Sequence, residues 1–368
     1  MNHLRKLGYE IYLLSCGLVN SAGDRAYIIW AYLFGGTVDF GKAHSEKYHT
    51  VRFGHTFEHG VLEGLGKTDA HKKVNLVGHS FGGPTVKMIN QLFMDGSEEE
   101  RAVTPPEELS PLFAGGHANL IHTITTLDSD NNGTTVCDWA EENKHLLTLV
   151  NYLIAGFIAA VGETPLMKLY GMHAEQWGLM PDTSTLKKYR LVNLFRKRKE
   201  IANFANPNYV ENNIMQEMRV KIVEEIINPK QRPDAHIYYF CQRADTLKPF
   251  IGNRRRPHLK MFFFCFLSGL VEGVYAPKFL KKYGLGSDPD WFRGDGFVNL
   301  PAQGNPFNAP GEEAELDFDR TYKAGICYKM PPVHADHVYW MGITGSKEDD
   351  RFALFEKMMK LYRTLPDG

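Results

Sequence analysis

The chain has 368 residues, with 42 Lys and Arg against 43 Asp and Glu, a formal net charge of −1. That balance excludes a global electrostatic grip on nucleic acid or on an anionic membrane. A content of 43% hydrophobic and 23% charged residues excludes disorder, collagen-like repeats and coiled coil, and the length suits one large α/β domain or two modest ones.

In chain order, residues 9–15 (YEIYLLS) are rich in aromatic and apolar residues and predict a strand. Residues 24–34 predict a helix ended by Gly35-Gly36. A second strand, 74–77, runs straight into Gly78-His79-Ser80-Phe81-Gly82-Gly83. The helix after it carries Pro84 in its first turn, where a missing N–H costs nothing, and apolar residues at Val86, Ile89 and Phe93. Residues 123–127 predict a buried strand, residues 140–233 a mostly helical insertion, and residues 236–241 (HIYYFC) the next strand. Alternating strands and helices imply a mainly parallel sheet covered on both faces. We read residues 1–368 as one α/β domain with a helical insertion at about 140–233. The five cysteines (Cys16, Cys137, Cys241, Cys265 and Cys327) form no CxxC pair, which argues against a cysteine zinc site or a redox dithiol. The opening residues lack the apolar core of a signal peptide. The apolar runs 146–161 and 261–271 are short for a bilayer span, so no transmembrane segment is expected.

Gly78-His79-Ser80-Phe81-Gly82 matches the G-x-S-x-G nucleophile elbow, and it lies between a strand and an amphipathic helix as that motif requires. The serine occupies a tight, strained turn, so glycine is expected two residues before and two after it. The turn lifts the hydroxyl above the sheet and makes the Phe81 backbone N–H an oxyanion donor. A serine at its ordinary pKa needs a histidine base oriented by a carboxylate, in the chain order Ser, acid, His. His334 and His337 are the histidines beyond His258. His337 directly precedes a turn-forming stretch and the final helix, whereas His334 sits beside a proline pair. For the acid, Asp245 closes a strand and Asp295 is flanked by two glycines that let the backbone turn sharply. These considerations leave the two nearly even.

Further stretches are more specific than the elbow. They are Asp24-Arg25-Ala26, Gly35-Gly36-Thr37-Val38-Asp39-Phe40-Gly41, Arg52-Phe53-Gly54, Leu109-Ser110-Pro111-Leu112-Phe113, Ala114-Gly115-Gly116-His117, Gln176-Trp177-Gly178 and Gly294-Asp295-Gly296-Phe297-Val298-Asn299. Through them the chain resembles the bacterial thermoalkalophilic lipases of Bacillus type and their staphylococcal relatives, from about residue 8 to residue 337. The resemblance implies an α/β-hydrolase fold and a triad of Ser80, Asp295 and His337, and it decides against Asp245. It also implies a structural zinc. The family's first aspartate corresponds to Asp24 and its first histidine to His44. Its second histidine aligns with Thr50, one place after His49, and its last aspartate aligns with Glu175. An Asp24, His44, His49 and Glu175 shell would be a reasonable O₂N₂ tetrahedron. The family's calcium positions are held here by Tyr339 and Thr344, which offer no carboxylate, so no calcium is expected there.

The run 145–161 is apolar nearly all round, apart from a stripe at His145, Thr148 and Asn151. Such a helix is ordinarily buried core, but in the family it is a lid that opens at a lipid–water interface. The basic clusters 187–199 and 254–256 are read as solvated faces. A second oxyanion donor is supplied in this fold by a His-Gly loop upstream of the first helix. No such loop stands in this chain, which therefore reads as lacking the N-terminal strand and oxyanion loop and as a weak esterase in this form. Taken together, the residues predict a serine carboxylic-ester hydrolase acting on lipids. Triacylglycerols are the family-level substrate, with short synthetic esters or aliphatic polyesters as further candidates and secretion implied by the resemblance. The alternative is a non-catalytic protein of the same fold that binds lipid or a partner.

Overall fold

The computed structural model describes residues 2–68, 71–161, 173–179, 190–205, 212–275, 281–282, 288–308, 311–344 and 348–367. Its centre is a parallel five-stranded sheet of β3 (Val74–His79), β4 (Ile121–Leu127), β5 (Tyr238–Gln242), β9 (Cys327–Lys329) and β8 (Glu312–Glu313), in the order β3-β4-β5-β9-β8. Two antiparallel ribbons stand apart from it: β1 (Gly36–Asp39) with β2 (Phe53–Phe57), and β6 (Lys248–Pro249) with β7 (Arg255–Arg256).

Every residue of β5 is buried, as expected of a central parallel strand covered on both faces. Successive side chains of a strand point to opposite faces, and β5 feeds two cores accordingly. Tyr239 joins Ile89, Phe93 and Ile124 under the Ala22–Phe34 and Gly82–Asp95 helices. Tyr238 and Phe240 join Tyr328, Met358, Leu361 and Tyr362 under the Glu348–Thr364 helix. The expected strands at 74–77, 123–127 and 236–241 are thus present with shifted ends. The first long helix starts at Ala22, two residues before the expected 24, because Ser21 and Asp24 form a reciprocal capping box.

Residues 9–15 differ from expectation: they join no ladder. Tyr12 and Leu13 are exposed, and β3 forms one edge of the sheet with Val77 exposed on it. β-Propensity describes what suits a pleated, half-buried surface, and these residues lie on no such surface here.

Within the insertion, the Lys144–Val161 helix packs Leu147, Ala155, Ile158 and Ala159 inward, three of them with Val19, Leu179, Ile201 and Phe204 in one apolar cluster. Leu146, Leu149, Val150, Tyr152, Leu153 and Phe157 face outward. The helix is therefore neither fully buried nor amphipathic in the usual sense. Much of the remainder of 140–233, including 187–189 of the first basic cluster, lies outside the described residues.

The glycines around the serine also depart from expectation. A Cβ at Gly78 would run into the Gly82 carbonyl, as the motif demands. One at Gly82 would meet nothing within 4 Å, whereas one at Gly83 would overlap the Ser129 side chain. The crowded position after the serine is the third, not the second. Gly83→Ala is expected to cost about 1–3 kcal/mol of stability through overpacking, and Gly82→Ala to cost nothing measurable. Urea denaturation midpoints of the two variants check this contrast.

Candidate active site

β3 ends at His79, and the next residue, Ser80, adopts φ +56, a left-handed conformation that is strained for a side-chain-bearing residue. The turn is pinned from the neighbouring strand: the Ser80 N–H donates to the Leu127 carbonyl (3.0 Å) and the Ser129 hydroxyl to the Gly78 carbonyl (3.1 Å). Phe81 is the N-cap of the Gly82–Asp95 helix, so its amide stands where the helix dipole favours negative charge. The buried Phe81 ring lies 4.8 Å from the Arg25 guanidinium, which also donates to the Gly17 carbonyl at 2.9 Å.

The Ser80 Oγ lies 2.8 Å from His337 Nε2, and His337 Nδ1 lies 2.8 Å from Asp295 Oδ2. His337 and Asp295 are both buried, Asp295 completely. The other carboxylate oxygen, Oδ1, accepts from the Phe297 N–H (2.9 Å) and the Val298 N–H (2.8 Å), while the His337 N–H donates to the Asp295 carbonyl (3.0 Å). Burial lowers the His337 pKa, but the Asp295 charge and hydrogen bond, with Asp130 and Asp336 behind them, outweigh it and raise the net value. His79 is a second imidazole, 5.0 Å from the first ring, and bonds through Nε2 to the His337 carbonyl (2.8 Å). Burial and the His337 charge depress its pKa to about 4, so it is neutral and donates.

The rival acid has a different role. Asp245 accepts from Arg293 Nε (2.8 Å) and from the Gly294 N–H (3.1 Å), and so anchors the start of the Asp295 loop. His334 is exposed and bonds to the Asp245 carbonyl (3.1 Å).

Of the four zinc positions, the structure joins only two. Asp24 Oδ1 is 3.0 Å from His44 Nε2. Asp24 Oδ2 accepts from the Gln176 amide (2.7 Å) and the Asn212 amide (3.0 Å), and Asn212 Nδ2 is also 3.0 Å from His44 Nε2. His49 ends the Lys42–Tyr48 helix in a left-handed conformation and is exposed, while Glu175 opens the Glu175–Trp177 turn. Among the described residues no three His, Cys, Asp or Glu side chains gather as metal ligands. The residues as placed therefore do not fit the expected four-ligand zinc. They form a carboxamide-filled hydrogen-bond network, in which Asp24 also serves as a helix cap.

Several residues close to the triad escaped the sequence reading. Asp128, held at φ +47, accepts from the Trp340 indole (2.6 Å); burial first, and then the Asp295 charge, push its carboxyl well above the usual carboxylate range. Burial likewise raises Asp130 to about 6 and lowers Lys87 to about 8. The signal was there: 128–135 (Asp-Ser-Asp-Asn-Asn-Gly-Thr-Thr) is an all-polar run directly after a buried strand, and every residue of it is buried. Asp336 precedes the triad histidine and is itself buried. Its carboxylate accepts from the Phe262 N–H (2.8 Å) and from the Thr344 hydroxyl, tying the histidine loop to the chain on either side.

These elements define an α/β-hydrolase with a nucleophile elbow and an assembled Ser–His–Asp chain. The family model described as "Lipase-like, C-terminal domain" matches residues 1–365, and the chain belongs to that family. It is 29% identical over 373 residues to Lipase 1 of Staphylococcus aureus (strain NCTC 8325 / PS 47), across 99% of this chain and 49% of the relative. It is 28% identical over 351 residues to a Staphylococcus epidermidis lipase, across 92% and 45%. The chain thus spans about half the length of the curated relatives it matches. Among solved structures, Staphylococcus hyicus lipase aligns with a TM-score of 0.80 at 25% identity, covering 99% of this chain and 87% of that one. EstA from Clostridium botulinum aligns at 0.78 and 26%, covering 100% and 81%.

If Asp336 holds the histidine loop in register, Asp336→Ala lowers kcat on a soluble ester about tenfold or more, with KM little changed, since a small misplacement of a catalytic group is costly. Asp336→Asn, which keeps one acceptor oxygen, recovers part of that loss. Steady-state kinetics of the two variants measure it.

Proposed function

We propose that this chain is a carboxylic-ester hydrolase acting on lipids through an acyl-enzyme. The observation that carries the reading is the unbroken hydrogen-bonded chain Ser80–His337–Asp295 at 2.8 Å per link. Ser80 Oγ attacks the ester carbonyl as its proton passes to His337 Nε2. The Phe81 N–H takes the developing oxyanion. Collapse breaks the C–O bond, and the alcohol leaves with the proton from His337. Water, deprotonated by the same imidazole, then releases the carboxylic acid and restores Ser80. Asp295 holds the imidazole tautomer and stabilises its charged form. No step uses a metal.

The apolar outward face of the Lys144–Val161 helix supports a lid that meets lipid. Triacylglycerols are the substrate class we favour, with short synthetic esters and aliphatic polyesters also within reach of an open apolar cleft. We place the enzyme outside the cell, at lipid–water interfaces. The described helices include none long and apolar enough to cross a membrane.

A fluorophosphonate probe tests the reading: labelling that disappears in Ser80→Ala supports it, and failure of the whole protein to label favours the non-catalytic alternative. Asp295→Asn is expected to lower kcat about 10³–10⁴-fold. The base must be neutral to accept the serine proton and its pKa is raised, so kcat/KM rises with pH along an acid limb displaced above 6.5. A pH–rate profile on a soluble ester locates that limb.

A further inference from the structure

Immediately beside the triad histidine, the molecule exposes a second apolar surface that the insertion helix does not form. Leu259 is 93% exposed, Phe263 72%, Ile251 67% and Met341 63%, and Phe250 and Leu267 are about half exposed. Three separate segments supply them: the β6–β7 hairpin, the turn and helix around Phe263–Leu270, and the loop after His337. A shared inner cluster of Leu247, Met261, Cys265 and Val338 ties the three together from beneath. The bond from the Phe262 N–H to Asp336 fixes the helix start to the histidine loop (2.8 Å). The outward apolar side chains therefore belong to one anchored surface rather than to loose tips.

The charge on this surface is one-sided. From Thr246 to Val271 the sequence holds Lys248, Arg254, Arg255, Arg256 and Lys260 and no acidic residue, in a chain whose total charge is −1. Lys248 and Arg256 are paired directly across the hairpin, a like-charge placement that is unfavourable unless an anion lies over it. Scattered solvated charges, the expectation for 254–256, would leave bases and acids mixed and the neighbouring aromatics covered. Here bases rim exposed Phe, Leu and Ile side chains. That combination fits an interface where apolar groups enter acyl chains and Lys and Arg stems reach up to phosphates.

We propose that this surface, formed by the β6–β7 hairpin, the Phe263–Leu270 helix and the loop after His337, docks the protein on lipid surfaces bearing anionic headgroups and so presents the triad to esters held there. The inference rests on the lipid-ester reading of the adjoining site and adds to it the charge of the surface on which the substrate lies. Attraction of this kind acts within a Debye length, about 8 Å at physiological salt, so a local basic rim suffices in a nearly neutral chain.

The test measures co-sedimentation of the full chain, in the Ser80→Ala background, with vesicles of phosphatidylcholine alone or mixed with phosphatidylglycerol. Tighter binding to the mixed vesicles is expected, weakening with salt. Arg254→Gln/Arg256→Gln should lose the anionic preference, by roughly fivefold per charge, and Leu259→Ser/Phe263→Ser should lose binding to both vesicle types. With Ser80 present, both double variants should hydrolyse p-nitrophenyl acetate in solution like the parent, which shows that they fold. Equal binding to the two vesicle types, or parent-like binding by both variants, overturns the proposal. So does a dimer that Leu259→Ser/Phe263→Ser dissociates while no vesicle binding is seen, because the occupant is then a second copy of the chain. Anionic-vesicle binding in a protein that hydrolyses no ester would instead sink the catalytic reading and leave this surface standing.

Discussion

A carboxylate without access to water needs partners for its lone pairs, and Asp295 has them arranged so that only one direction is left for the imidazole. Two backbone N–H groups of its own loop hold Oδ1, and His337 takes Oδ2. Removing those donors would leave a buried charge unmatched, at a cost of several kcal/mol. The loop's shape is therefore dictated by satisfying the carboxylate, and the position of His337 follows from the loop. Nearby buried carboxyls are treated differently. Asp128 and Glu272 are pushed by burial, and next by the Asp295 charge, well above the usual range and so toward the neutral acid. Negative charge is thus concentrated behind His337, where it stabilises an imidazolium, rather than spread over the interior.

What could be read from the sequence was what local pattern determines. β5 (YYFCQ) is a largely apolar run and β4 (IHTITTL) is rich in β-branched Ile and Thr, and such compositions mark buried strands. The elbow was legible because a serine sits in the G-x-S-x-G pattern between a strand and a helix, although the structure crowds Gly78 and Gly83 rather than Gly82. The choice between Asp245 and Asp295 was not, because an acid that closes a strand and an acid between two glycines are equally plausible triad acids. What separates them is that Asp245 faces Arg293 and the Gly294 N–H, a three-dimensional fact with no local signature. The same limit explains residues 9–15. Their composition is that of a strand, but they join no ladder, and Tyr12 and Leu13 stay exposed. The crowding at Gly83 likewise comes from Ser129, a residue 46 positions away in sequence.

The Asp24 network shows a resemblance carrying residue types further than it carries their geometry. Aspartate, histidine, histidine and glutamate all stand at or beside the family's ligand positions, but two carboxamides, Gln176 and Asn212, reach Asp24 first. Asp24 Oδ2 accepts from both amides and from the Ser21 N–H, while Oδ1 faces the His44 imidazole at 3.0 Å. Hydrogen bonds from Gln176 and Asn212 to Asp24 join the Ala22–Phe34 helix to the insertion. Asp336 does comparable work at the histidine loop, where a backbone amide and a hydroxyl meet one carboxylate.

Apolar side chains are displayed outward in two places. A protein with two packed cores on either face of its sheet has no stability reason to display Leu153 on the insertion helix or Leu259 beside the triad histidine, 62% and 93% exposed. Single exposed apolar residues are ordinary on any surface, but two clustered displays, one on the insertion helix and one beside His337, are not explained by packing. Exposed apolar area costs free energy in water and gains it back only where water is excluded. On the proposed function, the buried hydrogen bonds fix where the reaction occurs, and the outward Leu, Ile and Phe side chains set which environment the reacting groups face. An ester hydrolase that works at a lipid boundary needs both, the first on rigid elements beneath and the second at the rim.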